Sequence, residues 1–312
     1  MWFKQVSVFQ LQTTAGYNIE KLTQQLAPLS FTPCLPSLPV SQGWAPPVEE
    51  NADMLIRSVA DNYMLCLQVE EKILPTSVIQ QAMQEKVKMM EAIRDRKVSA
   101  KEKRFLREEA THTLLPRAFS KLSRIYGYIN TSENWLIIDS TQSARVSAFT
   151  ELLQRTCSDI RLQLVVGEKI QRQLTRWLID GNYPDSFAIE KSCVLNNPRQ
   201  KTCVVRCQQQ DLSAHGIQYF VKEGYEAQQL ALSWQDRLDF VLSEDFTLKN
   251  IRFRQGMLEQ NEEVEKDNAA QTFDVDFLIM GQTLVELIKE LTVLFLKTAE
   301  HPLDSKIALS TR

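Results

Sequence analysis

Residues 75–119, PTSVIQQAMQEKVKMMEAIRDRKVSAKEKRFLREEATHTLLPRAF, carry the signal from which the rest of the chain is read. Pro75 suits a first helical position, where its missing N–H costs nothing. Ile79, Met83, Val87, Met90 and Ile93 then follow at steps of four, four, three and three. The stripe breaks at Arg94-Asp95-Arg96-Lys97. Ser99 with Glu102 three residues on is a capping box, which satisfies backbone donors at a new helix start. Phe105, Leu106 and Ala110 form the second apolar face, and Pro116 interrupts it. The spacing predicts a helical hairpin over 75–112 and a further helix to about residue 124.

Strand patterns flank this hairpin. Upstream, Phe3–Leu11 reads as a strand, Asn18–Leu26 as a short helix, and Tyr63–Val69 as a strand again. Six of the eleven Pro crowd between residues 28 and 47, which predicts irregular loop there. Downstream, Arg124–Asn130 and Trp135–Asp139 read as paired strands, Thr141–Gln154 as a helix and Arg161–Val166 as a strand. A βαβ-rich half follows, with strands near Phe187–Val194 and Thr202–Gln208 and a helix near Ser213–Glu223. A meander over Glu226–Ser233, Arg237–Ser243 and Leu248–Arg254 precedes a long amphipathic helix, Phe273–Thr298. This order predicts an α+β fold of mixed, mostly antiparallel sheets with a projecting helical hairpin. The expected division is a central domain of residues 1–74 plus 125–166, a hairpin tip of 75–124, and a base domain of 167–312.

Several chemistries are excluded by spacing. The nine Gly come no closer than eight residues apart, so neither a G-x-G-x-x-G nor a phosphate-loop motif exists. The six Cys include no C-x-x-C and the three His are dispersed, so no metal or other cofactor is expected and the thiols read as buried and reduced. Asp211, Ser213 and His215 lie too close together at a helix start to face one another as a triad, and they read as local capping. Asp274 and Asp276 invite a magnesium-dependent nuclease reading, against helix N-terminal acids complementing the macrodipole. The apolar stretch 277–296 carries Glu286, Lys289 and Glu290, too much charge to span a bilayer. With no basic-then-apolar leader after Met1, the chain reads as cytosolic with no membrane partner.

The formal net charge of −3 conceals a polarity. From Glu85 to Arg124 twelve cations face six anions, and from Asp239 to Asp276 ten anions face four cations. A cationic excess on helices is the footprint of phosphate binding, because each neutralised phosphate releases counterions. Its bland counterpart is a solvated, salt-bridged helix pair.

Thr32-Pro33-Cys34, Gly43-Trp44-Ala45-Pro46-Pro47, Glu70–Pro75, Leu114–Ser120, Ala231–Gln235 and Phe273–Phe277 occur in that order along the chain. Together they resemble the recombination-associated protein RdgC family of bacteria over nearly the full length. The resemblance implies a non-enzymatic, sequence-independent binder of double- and single-stranded DNA, associated with the nucleoid. It implies a ring-shaped homodimer around a positively lined hole, acting in functional antagonism to RecA. On it, Lys86, Lys97, Lys101, Arg104, Arg117, Lys121, Gln209 and Gln210 are the candidate DNA contacts, with Gln209 standing where the family carries a lysine. Phe119 and Leu115 are the candidate dimer contacts, and the acidic stretch is expected to face outward. The alternative is a protein–protein adaptor that acts directly on a recombinase filament.

Overall fold

The computed structural model describes residues 1–13, 18–48, 54–165, 170–254, 256 and 269–295, and its twelve strands form two sheets. The first contains β1 (Ser7–Thr13), β2 (Val40–Ala45), β3 (Ile56–Val59), β4 (Asn62–Ile73), β5 (Phe119–Asn130), β6 (Trp135–Ile138) and β7 (Ile160–Leu164). Its order is β2-β4-β5-β6-β1-β7, with β3 sharing the β2 edge of β4. The second contains β8 (Phe187–Asn197), β9 (Gln200–Gln208), β10 (Glu226–Trp234), β11 (Leu238–Ser243) and β12 (Leu248–Phe253), in the order β12-β11-β10-β8-β9. Every described ladder is antiparallel, so the second half is a meander with one crossover rather than a set of βαβ units.

The middle of the first sheet is buried on both faces, and its alternation shows it. Met64, Tyr128, Trp135 and Ile137 enter one core, while Leu65, Ile129, Leu136 and Ile138 enter the other. The second of these cores is closed by α1 (Ile19–Leu26) and α4 (Ser143–Thr156), through Leu22, Leu26, Phe149, Leu152 and Leu153. Gly127 on β5 makes this packing possible, since a Cβ there would sit 2.8 Å from the Phe149 ring.

The first core is organised by α7 (Ala269–Phe295), with α5 (Ile170–Asp180) and α6 (His215–Lys222) beside it. Phe277, Met280, Leu284, Leu287, Ile288, Leu291 and Phe295 are buried on α7, a gross contribution of roughly 10–20 kcal/mol. Polar contacts orient the helix against both sheets. On the first-sheet side Arg57 forks onto Asp274 with Nε 2.7 Å from the carboxylate, and Lys289 reaches Glu133 at 2.6 Å. On the second-sheet side Trp234 donates to Glu290 at 2.7 Å, Ser186 donates to the same carboxylate, and Arg237 pairs with Glu286.

Four local expectations are corrected. The helix foreseen up to residue 124 is a single 3-10 turn, Leu115–Arg117, followed by β5. Pro116 starts that turn, and β4 runs on to Ile73, offering an edge that pairs from Asn62↔Asn130 to Ile73↔Phe119. The Pro-rich segment contains β2, because Pro39 and Pro46 flank the strand without entering it. Gly43 there lets the Ser30–Phe31 backbone pass 2.6 Å from where a Cβ would stand. The helix α5 went unforeseen although Ile170, Leu174, Trp177 and Leu178 recur at helical spacing and are buried. The final helix begins at Ala269, four residues early, and its foreseen last turn, 296–298, lies outside the described residues. All six Cys are free thiols, and burial pushes Cys66 and Cys193 up to about 12 and Cys157 up to about 11.

Replacing Gly127 by Val is expected to cost about 1–3 kcal/mol in urea unfolding, as overpacking against Phe149. Gly216→Ala, with no atom within 4 Å of the added methyl, is expected to change stability by less than about 1 kcal/mol. Equal effects would refute the packing argument.

Candidate nucleic-acid interface

The stretch between β4 and β5 forms α2 (Thr76–Arg94) and α3 (Ala100–Leu114), a two-helix arm standing on the far end of the longest ladder. The arm is thin. No residue of α2 is buried, and its internal face is made by Val98, Leu106, Ala110 and Leu115. Two devices close the loop between the helices. Asp95 takes a left-handed backbone conformation at φ 46°, and the foreseen capping box forms between Ser99 and Glu102. Glu91 adds a third fastening by accepting the Val98 N–H at 3.0 Å.

Glu102 does more than cap. Its carboxylate binds Arg94 at 3.0 Å and Arg96 at 2.7 Å as well as the Ser99 N–H at 2.9 Å. The Arg96 hydrogen bond, then those from Ser99, lower its pKa from the usual 4.5 to about 2. Lys86 pairs with Glu109 at 2.7 Å and Arg104 with Glu108 at 3.3 Å. Lys88, Lys97, Lys101, Lys103, Arg107, Arg117 and Lys121 are exposed and carry no ion pair among the described residues. The arm is therefore partly a salt-bridged helix pair and partly a source of uncompensated cations.

The sequence-derived candidates do not form one patch. Lys97, Lys101 and Arg104 sit at the loop end, with Arg104 already sharing its charge with Glu108. Arg117 and Lys121 sit at the foot, separated from them by the length of α3, about 22 Å. Lys86 lies between, with its charge met by Glu109. Gln209 and Gln210 belong to the second sheet, in the turn after β9, where Gln209 adopts φ 53° and the Gln210 N–H reaches the Lys191 carbonyl at 3.1 Å. Both are exposed.

The two candidate dimer contacts separate cleanly. Phe119 is 84% exposed and stands opposite Ile73, itself half exposed, on the ladder. Leu115 is 5% exposed and fills the hairpin's own core, so it offers no side chain to a partner. Exposed Leu122 lies on the other face of β5.

The acidic half of the chain also reads differently in three dimensions. Asp239 is bound by Arg254 at 2.8 Å, and Glu244 accepts from Gln228 at 3.0 Å. Asp245 accepts from Thr247, Asp274 is held by Arg57, and Asp276 receives the Met1 amino group at 2.6 Å. Three of these five, Asp239, Asp274 and Asp276, are paired with cations and two bond neutral groups, while Glu259, Glu262, Glu263, Glu265 and Asp267 lie outside the described residues. Asp274 and Asp276, two apart on a helix, point about 200° from each other and each already holds a cation, so they do not form a metal-binding pair. Asp211 accepts from both the backbone and side chain of Ser213, which lowers its pKa, as local capping requires.

A surface that sequence reading missed lies on the outer side of the second sheet. A concavity of about 410 Å³ there includes Arg206, Lys249 and Arg252. No alternation of charged and apolar residues marks them in the sequence: Lys249 and Arg252 stand three apart on β12 and share a face only through the irregularity in the β11–β12 register. No helix among the described residues is long and apolar enough to cross a membrane.

Comparison with known proteins is consistent along the chain. Residues 1–298 match the family model described as "Putative exonuclease, RdgC". A recombination-associated protein RdgC of Proteus mirabilis is 34% identical over 290 residues, covering 93% of this chain and 96% of that protein. One from Yersinia enterocolitica is 33% identical over 302 residues, covering 96% of this chain and all of that protein. The chain belongs to the RdgC family of recombination-associated proteins.

Because Glu102 is held at about 2 in the folded arm, its ordering effect is present above pH 4.5 and is lost as pH falls towards 2. Amide exchange at Ser99 and Glu102, corrected for intrinsic rate, is expected to accelerate through that window. In Glu102→Ala, which removes the acceptor as well as the charge, it should be fast already at pH 7 and nearly flat. Wild-type protection that is unchanged down to pH 2 would overturn the assignment.

Proposed function

We propose that this RdgC-family chain is a sequence-independent DNA-binding protein with no chemistry of its own. Two copies close around DNA and restrain RecA-promoted strand exchange, and the protein resides on the nucleoid. The observation that carries the reading is the set of exposed cations on the hairpin arm that lack an acidic partner among the described residues. A thin, polar arm with free lysines and arginines is suited to phosphates rather than to base edges, and it needs no pocket. Closure is supported by Phe119, a large aromatic left in water at the arm's foot with Ile73 beside it. Two-fold symmetry makes such a patch self-complementary, because each copy presents the same residues to the other.

The adaptor reading has its own observation. Met89, Ile93 and Phe105 are exposed on the arm, with Ile93 84% accessible, and could dock on a protein filament. The charged residues separate the two. Lys97→Gln, Lys101→Gln and Lys103→Gln together are expected to weaken binding to any DNA sequence and to lower the log–log salt slope by about two to three. Unchanged affinity and slope, with strand-exchange inhibition retained, would favour the adaptor and sink the DNA reading of the arm.

Closure is tested at Phe119. Phe119→Glu should shorten retention on relaxed circular DNA several-fold more than on linear DNA, where a ring escapes from the ends in any case. Equal loss on both substrates would count against closure at this point.

A further inference from the structure

The outer face of the second sheet is not covered by any described element, and it is where Gln209 meets the rest of the protein. Its rows are set by the register. Arg252 stands opposite Asp239, Lys249 opposite Val241 with Ala231 beyond it, and Val194 opposite Arg206. The result is a hollow of about 410 Å³ with cations on both sides, Lys249 and Arg252 on β12 and Arg206 on β9. Four strand spacings separate β12 from β9, about 19 Å, long enough for several successive phosphates. Gln208 and Gln209 form the rim on the β9 side, and Gln209 also borders the neighbouring hollow that contains Gln210 and Lys191.

Acidic residues are present in this hollow, and their disposition decides its sign. Glu190 and Asp239 lie among its walls. Both are engaged by one guanidinium: Arg254 reaches Glu190 at 3.5 Å, Asp239 at 2.8 Å and, in the adjoining turn, Asp236 at 2.6 Å. Arg254 thus offsets part of the acidity of the face, one positive charge among three carboxylates, and the cations lining the hollow, Lys191, Arg206, Lys249 and Arg252, outnumber Glu190 and Asp239. Arg206, Lys249 and Arg252 have no ion pair among the described residues. Aromatic rings are lacking from the open side apart from Phe240, which is buried beneath it, so the face offers charge and amide donors without a base-stacking platform.

We infer that this face is a second phosphate-binding surface, a groove in which Arg206, Lys249 and Arg252 hold the backbone of DNA and Gln208 and Gln209 add hydrogen bonds at its edge. The inference rests on the DNA-binding reading above and extends it from the hairpin arm to the second sheet. It gives the Gln209–Gln210 turn a physical setting: an uncharged margin of a cationic groove, which tolerates glutamine because the charge is supplied from β9 and β12.

The test measures DNA affinity against salt for the full chain and for Arg206→Gln/Lys249→Gln/Arg252→Gln, with a labelled DNA of mixed sequence and fluorescence anisotropy as the readout. The groove predicts a log–log slope lower by about two to three and an affinity at low salt reduced at least tenfold, with Arg206→Lys/Arg252→Lys close to wild type. A parallel measurement needs no variant: the rate at which an amine-acetylating reagent modifies Lys249 in the wild-type protein should fall several-fold when DNA is bound. Wild-type binding with normal slope in the triple variant and unprotected Lys249 would overturn the groove and leave the arm's role standing. Absence of wild-type DNA binding would overturn the underlying reading.

Discussion

Everything in this structure leans on the helix 269–295. Its buried row, from Phe277 to Phe295, packs in the core shared by both sheets, and its charged residues fasten to each of them in turn. The close approach is controlled by one residue. Gly281 lies against Asn62, where a Cβ would come within 3.0 Å of the amide, and its carbonyl receives the Tyr128 hydroxyl. A two-sheet protein with a polar helix here would have two half-exposed cores. With this helix apolar and pinned by ion pairs, the sheets are held in one arrangement, and their outward features, the arm and the open face, become fixed relative to it.

The arm works under the opposite constraint. It has almost no core, so its shape depends on caps and ion pairs clustered at Glu102, Glu91 and Ser99. Such exposed pairs contribute little stability each and are screened by salt. Glu102, Glu108 and Glu109, which help to order the arm, also consume part of its positive charge, and the result is a division of labour. Arg94, Arg96, Lys86 and Arg104 maintain the hairpin, whereas Lys97, Lys101, Lys103 and Arg107 remain available. Counting charges along the chain cannot separate the two groups, because they alternate within a single helix.

Legibility in the sequence followed the range of the interaction. The capping box at Ser99, the short helix starting at Asn18 and the strand pair 124–139 were readable because their partners lie within a dozen residues. The second strand, β2, was hidden because it is short, sits among prolines and owes its existence to β4, about twenty-five residues away. Residues 119–123 were misread as helix because an apolar, basic stretch after a helix continues that pattern locally. Only the free edge of β4 makes it a strand. Phe119 and Leu115 were indistinguishable as apolar neighbours of Pro116, yet one is in solvent and the other in the hairpin core.

The sequence by itself determined the α+β class, the helical arm with its caps, and the polarity of charge between the two halves, since these depend on spacing and on short-range hydrogen bonds. Tertiary structure alone decided which of those charges act. Asp274 meets Arg57 across 217 residues, and Glu190 and Asp239 meet Arg254 only when the four strands from β12 to β8 lie side by side. A charge's availability is set by its nearest opposite charge in space, and in a folded sheet that neighbour is rarely the nearest one along the chain.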